Sequence, residues 1–224
     1  METGTFSIVA RDRKTGDFGV GSATAAPCVG AFLPYAMEDV GAIATQAWVN
    51  VNLGHQGLEF MRSGLGVNAA LEALLSEDPG RERRQLIGID GGSVFGHTGK
   101  ECTDAKGHVL GNDYAVAGNI LADRRVLEAM AEEFKRSRGE LAHRILQVIE
   151  AGQEAGGDRR GKMSTALLVA SHKPKLYHDL RIDMHTNPVR ELRTIFEKCE
   201  RLQEEYGDEE DGEVLKLRVA RVQR

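Results

Sequence analysis

Gly4-Thr5-Phe6-Ser7-Ile8-Val9-Ala10-Arg11-Asp12 leads from a small residue and a threonine straight into a run of strand-forming residues. The turn Arg13-Lys14-Thr15-Gly16-Asp17 follows, and then a return over 18–25 rich in glycine and alanine, so the chain begins as a β-hairpin. Thr5 admits two readings. Threonine is common in strands, and on this stretch alone Thr5 is the first residue of one. Freed at a chain terminus, it would carry a hydroxyl and an α-amine together. An amine titrating near pH ~8 can take the proton of that hydroxyl, which makes threonine a nucleophile. In the returning strand, Gly19-Val20-Gly21-Ser22-Ala23 leaves room for a close neighbour, either a packed helix, which strand context favours, or a ligand that Ser22 would touch.

Outward from the hairpin, Gly41-Ala42-Ile43-Ala44-Thr45-Gln46-Ala47-Trp48 is a third strand running into the polar Asn50-Val51-Asn52, a candidate site edge. Apolar spacing predicts helices over 53–63 and 67–76, broken at Gly64 and Gly66. Residues 84–90 and 93–98 form a second hairpin about Gly91-Gly92. The stretch 100–119 reads as irregular and polar. Asp123 can cap a helix with the stripe Val126, Leu127, Met130, Ala131 and Phe134, and a second helix carries Leu141, Ile145, Val148 and Ile149. A glycine-rich charged loop over 155–162 enters the apolar strand 164–170. A shorter strand spans 177–183, and Asn187-Pro188 starts a last helix. Hairpins, then paired helices, then further strands make an α+β pattern of two antiparallel sheets covered by helices on both outer faces.

A chain of 224 residues, 41% hydrophobic and 28% charged, can bury the core of one domain, expected over 1–206. The run Gly207-Asp208-Glu209-Glu210-Asp211-Gly212 reads as an acidic linker ahead of a short basic tail to residue 224. A net charge of -5 offers no basic face to nucleic acid, and no apolar run approaches the ~20 residues of a membrane helix. The first residues lack a signal-peptide pattern, so a cytoplasmic protein is expected. Cys28, Cys102 and Cys199 are an odd, scattered set that suits reduced thiols.

The segments TFSIVARD, ATQAWVN with GxxGLEFM, RQLIGID, HTGKEC, GHxxGxxYAVAGNIL, AGGDRRGKMSTALLV and DLRIDMHTNPVRELR, in this order from Thr5 to about Arg193, resemble the DUF1028 family. That domain of unknown function is placed in the N-terminal-nucleophile hydrolase superfamily. The resemblance implies a four-layer αββα sandwich like that of proteasome β-subunits and plant-type asparaginases. It also implies Thr5 as nucleophile toward an amide carbonyl, with no established substrate. In the family pattern threonine directly follows methionine. Here the bulky Glu2 follows Met1, so exposure of Thr5 requires cleavage of the Gly4–Thr5 bond, with glycine where proteasome β-subunits are processed. No lysine lies between Lys14 and Lys100 to tune the threonine amine, so Arg159 or Arg11 would supply positive charge, with Asp158 orienting the site. For either arginine the competing role is a structural salt bridge.

Gln46, Asn50 and Asn119 are amides that can bind a substrate amide or an oxyanion, or simply cap turns. The loop 156–163 misses a phosphate-binding motif by one residue, Met163, and lies after a helix and before a strand, the reverse of what that motif needs. His97, Cys102 and His108 match no common zinc spacing, and Cys28 reads as a small buried residue. The expected function is therefore an amide hydrolase with catalytic Thr5, Asp158, Arg159 and Asn119, and substrate contacts at Gln46, Asn50, Ser22 and Arg11. It would need no metal or cofactor and act on a small molecule. The alternative is a non-catalytic binding or assembly protein on the same fold. A homodimer is expected, because Phe60, Met61 and Leu53, Leu58, Leu65 and Leu71 spread wider than one buried helix stripe.

Overall fold

The longer strands are built of apolar and small residues that are buried on both faces, which demands a layer on either side. The computed structural model of the protein describes residues 2–206; the linker and tail expected over 207–224 lie outside the described residues. In chain order the elements are β1 (Glu2–Thr3), β2 (Thr5–Arg11), β3 (Phe18–Thr24), β4 (Pro34–Met37), β5 (Gly41–Trp48), α1 (Val51–Arg62), α2 (Val67–Glu77), β6 (Arg84–Ile89) and β7 (Val94–Thr98). They continue as β8 (Gly107–Leu110), β9 (Tyr114–Asn119), α3 (Arg125–Arg136), α4 (Leu141–Glu154), β10 (Ser164–Ala170), β11 (Asp179–Ile182) and α5 (Pro188–Tyr206).

Two antiparallel sheets result. One runs β11-β10-β3-β2-β9-β8. The other runs β5-β6-β7, and the free edge of β5 is shared by β4 over Gly41–Ala44 and by β1 at Ala47 and Trp48. Between the sheets lie Val9, Phe18, Val20, Ala42, Ala44, Ile87, Ile89, Ala115 and Ala117. The outer face of the six-stranded sheet packs Phe6, Ile8 and Val116 against Met130, Ile145 and Phe196 of α3, α4 and α5. The outer face of the other sheet packs Ile43 and Leu86 against Leu58, Leu71 and Leu75 of α1 and α2. The layers are thus α, β, β, α, the sandwich expected from the sequence. Among the described residues no helix is long and apolar enough to cross a membrane.

The glycines of β3 make room for a helix. A Cβ on Gly19 or Gly21 would lie 2.5 Å from Ile145 of α4, so the strand and helix approach only because those positions are bare. Asn50 caps α1 by accepting the amide of Asn52 at 3.2 Å, and Asp123 accepts the amide of Arg125 at 2.8 Å.

Two expectations fail. Residues 107–119 are not irregular, since β8 and β9 extend the six-stranded sheet, β9 pairing with β2 over Thr5↔Asn119 to Ala10↔Tyr114. Small residues carry little strand propensity, and it is β2 alongside that makes this stretch a strand. Cys28 is not buried; it is exposed in a left-handed conformation with φ 58°.

Candidate functional site

Period-2 alternation puts Thr5 and Ser7 on the same side of β2 as Val9, facing the other sheet. The same rule aligns Ser22 and Thr24 with Val20, Gln46 with Ala44, Gln85 with Ile87, and Asn119 with Ala117. On these faces β3, β6 and β9 run from apolar residues at one end of the sandwich to polar ones at the other, and β2 and β5 add Thr5, Ser7 and Gln46 at the polar end. All of these polar side chains are buried, Thr5 to 0% exposure.

Buried polar groups are costly unless they are hydrogen-bonded, and most of these are. The Ser7 hydroxyl donates to Gln46 Oε1, and Gln46 Nε2 donates to Gln85 Oε1 at 2.7 Å. Asn119 Nδ2 donates to the same oxygen at 3.0 Å. Gln85 Nε2 lies 2.9 Å from the Gly118 carbonyl and 3.0 Å from both the Gly107 carbonyl and Thr98 Oγ1. Thr98 Oγ1 in turn meets His108 Nδ1 at 2.9 Å, and burial holds that imidazole below its ordinary pKa. Of the four buried side-chain atoms that lack a hydrogen-bond partner among the described residues, two, Ser22 Oγ and Asn119 Oδ1, belong to the strands that flank β2, while Gln147 Oε1 and His178 Nδ1 lie elsewhere. A sandwich core has no structural need for two unpaired polar atoms, which marks this end as a place where stability is given up.

The main chain crosses this end. β1 belongs to one sheet and β2 to the other, so Gly4 is where the chain passes between them. The Gly4 carbonyl accepts from the Thr24 hydroxyl and, at 3.1 Å, from Arg160 Nη2. Asp158, with a fully buried carboxylate, fixes that guanidinium at 2.7 Å and also accepts the amides of Ala25 at 3.0 Å and Arg160 at 2.9 Å. Residues 157–159 are themselves held by 120–122, through the bridge Leu121↔Asp158 and the bond from the Arg159 amide to the Ile120 carbonyl at 3.0 Å. Ala47 and Ile120, which directly follow Gln46 and Asn119, both have positive φ, 65° and 52°. Such backbone costs on the order of 1–3 kcal/mol each, most of all for a β-branched residue, and collects at functional sites.

Of the residues expected from the sequence, Thr5, Asp158, Asn119, Gln46 and Ser22 lie at this end. Three do not join them. Arg11 ends β2 six residues on, roughly 20 Å away at ~3.3 Å per residue. There it bonds Asp113 at 2.9 Å and the carbonyls of Asp90 at 2.5 Å and Asn112 at 2.9 Å, the structural salt bridge that was its competing role. Both arginines are exposed, and it is Arg160, not Arg159, whose guanidinium bonds Asp158. Asn50 is spent on its cap and on Asp78, to which its Nδ2 donates at 3.1 Å. Arg84 at 2.8 Å, with the Asn50 and Gly80 bonds, pulls the Asp78 carboxyl down to about 2. Thr24, Gln85 and Arg160 were missed. The signal for the first two was a polar residue at one and the same end of successive strands.

His97, Cys102 and His108 have separate partners, the Arg81 carbonyl at 3.0 Å, the Arg84 carbonyl at 3.3 Å and Thr98. Among the described residues, Glu38, Asp39 and His172 are near enough to share a cation. They sit exposed by the β4–β5 turn, where the two carboxylates raise the imidazole pKa as ion-pair partners.

A family model described as "Family of unknown function (DUF1028)" matches residues 5–192, from the first residue of β2 into α5. The chain belongs to the DUF1028 family. Among solved structures this DUF1028 chain is similar to the crystal structure of protein SPO2555 from Silicibacter pomeroyi, of the same family. The two are 35% identical, with a TM-score of 0.81, over 88% of this chain and 86% of that one. No curated protein matches it.

Proposed function

We propose that the protein is an amide hydrolase of the N-terminal-nucleophile type, with Thr5 as nucleophile after cleavage of the Gly4–Thr5 bond. The observation that carries this reading is the position of that bond, at the crossing between the sheets, amid buried hydroxyls and amides that a sandwich core does not need. Once freed, the Thr5 amine takes the hydroxyl proton as Oγ attacks a substrate carbonyl, then returns it to the departing amine. Asn119 Oδ1 and Ser22 Oγ, unpartnered on the neighbouring strands, are suited to accept the N–H of the substrate amide or of the Thr5 ammonium. Asp158 orients the charged loop beside them.

The same reading takes the protein as a cytoplasmic homodimer acting on a small-molecule amide. Most of the apolar residues of α1 and α2 turn inward, as Leu53, Leu58, Met61 and Leu71 do, and Phe60 at 38% and Leu65 at 42% exposure are left as the interface. Intact-mass measurement of untagged protein tests the proposal. Wild type loses the residues before Thr5 and Thr5→Ala keeps them; a chain that never loses them, with Thr5→Ala changing nothing, removes the mechanism.

The complete burial of Thr5 in the uncut chain favours a second reading, a non-catalytic binding protein on this fold. Thermal shifts with a metabolite set would then show binding without turnover, and any hydrolysis abolished by Thr5→Ala would eliminate it.

A further inference from the structure

The Gly4 carbonyl has two side-chain donors, and a bare position beside it. We infer that Thr24 and Arg160 are catalytic residues that hold the acyl oxygen, and that their pocket admits an acyl group with no side chain, so that this site takes glycyl amides. The inference rests on the reading of Thr5 as nucleophile.

Both donors are in place before any reaction begins, although the Arg160 guanidinium is 37% exposed and keeps some freedom. The Thr24 oxygen accepts the Ala26 amide at 3.1 Å, which leaves its proton for the Gly4 oxygen. Arg160 is clamped by Asp158 through Nη2 at 2.7 Å and Nε at 3.1 Å. A neutral peptide carbonyl has little use for a hydroxyl and a guanidinium together, whereas the alkoxide of a tetrahedral intermediate is stabilised by both. In the first step a bond forms between Thr5 Oγ and the Gly4 carbonyl carbon, and the hydroxyl proton passes to the Thr5 nitrogen. The oxyanion rests between Thr24 and Arg160, and its collapse breaks the bond from Gly4 to that nitrogen. This leaves an ester on Oγ and a free amine. Water then adds to the ester carbonyl, the same donors hold the second oxyanion, and Gly4 departs as a carboxylate while Thr5 recovers its hydroxyl. A separate substrate passes through the same ester, with its acyl group where Gly4 had been.

That place has hard walls. A Cβ on Gly4 would stand 2.8 Å from Arg160 Nη2, 2.8 Å from Ile120 Cβ and 2.9 Å from Asp158 Oδ2. The guanidinium can swing aside. Ile120 Cβ cannot, being fixed to a backbone at φ 52°, and Asp158 is buried and held by two amides. Before the glycyl unit, the pairs Thr3↔Ala47 and Glu2↔Trp48 show an extended chain running antiparallel along the β5 edge. A peptide-like extension on the acyl side therefore fits by strand addition once the first residues have left.

The test follows self-cleavage of the untagged full-length chain by intact mass, for wild type, Thr5→Ala, Gly4→Ala, Thr24→Val, Thr24→Ser and Arg160→Gln, with melting curves confirming that each is folded. Processed wild type is then given the 4-nitroanilides of acetyl-Glu-Thr-Gly and acetyl-Glu-Thr-Ala. Cleavage slows about 100-fold or more in Thr24→Val and Arg160→Gln, while Thr24→Ser, which keeps the hydroxyl, stays near wild type. Gly4→Ala slows at least about 10-fold, and the glycyl anilide is hydrolysed at least about 10-fold faster than the alanyl one. Wild-type rates in Thr24→Val and Arg160→Gln, with Thr5→Ala inert, overturn the carbonyl-holding role and leave the nucleophile standing. Equal rates on the two anilides, or hydrolysis of neither, overturn the substrate class. A wild-type chain that is never cut brings down the nucleophile and this inference together.

Discussion

Replacing Gln85 with leucine removes the hub of the buried polar network while keeping a side chain of similar size. Its Oε1 receives Gln46 Nε2 at 2.7 Å and Asn119 Nδ2 at 3.0 Å, and its Nε2 serves the Gly118 carbonyl at 2.9 Å. All three partners are buried, so leucine leaves three polar groups without that bond and without water. At about 1–3 kcal/mol each the loss is roughly 6 kcal/mol, and burial of the leucine methyls returns about 2, a net destabilisation of about 4 kcal/mol. For a domain of this size that lowers Tm by about 10 °C. Urea denaturation followed by circular dichroism reads the free energy, and a thermal melt reads the shift in Tm. Gln85→Glu should be worse still at neutral pH, because a carboxylate oxygen would replace the donor facing the Gly107 and Gly118 carbonyls. A Gln85→Leu protein within about 1 kcal/mol of wild type would refute the argument that these bonds offset the burial of the cluster.

His178 is buried, which pushes its imidazole down to about 4 against the raising effect of Glu140 and Asp17. Since the unfolded chain binds this proton near pH ~6.5 and the folded one only near 4, stability is full above ~6.5 and falls as pH drops toward 4, by about 3 kcal/mol; His178→Gln should flatten that part of the urea-measured profile. Gly21→Ala drives a methyl into Ile145 at 2.5 Å and Ile149 at 2.9 Å, and should cost about 1–3 kcal/mol, whereas Gly16→Ala, in open space, loses less, through its φ of 81° alone. Light scattering should give twice the 24.5 kDa chain mass, and Phe60→Glu with Leu65→Glu should return it to one chain; a monomeric wild type across micromolar concentrations rejects the dimer.

The pattern of layers was legible because its signals are local. The β2–β3 hairpin, β5, the β6–β7 hairpin and the helices α1 to α5 each announce themselves by period and turn chemistry within a dozen residues. Gly19 and Gly21 correctly pointed to a helix close against β3. Strand β9 did not announce itself, since alanines and glycines acquire strand geometry only from the partner beside them, here β2 on one side and β8 on the other.

For the site, the sequence named Thr5, the amides of Gln46 and Asn119, and the charged loop at Asp158 as candidates only through the family resemblance, since residue type alone left Thr5 as the first residue of a strand. Arg11 was wrongly grouped with the site, although it lies a full strand length from Thr5, where it bonds Asp113. Which of two adjacent arginines bonds Asp158 was settled only in three dimensions, where residues 157–159 pair with 120–122 and Arg160, not Arg159, reaches the carboxylate. The hub role of Gln85 and the place of Thr24 on the Gly4 carbonyl depend on partners 20 to 39 positions apart in the chain. Periodicity tells each strand which face is buried, but only the stacking of the two sheets decides which residues of those faces meet.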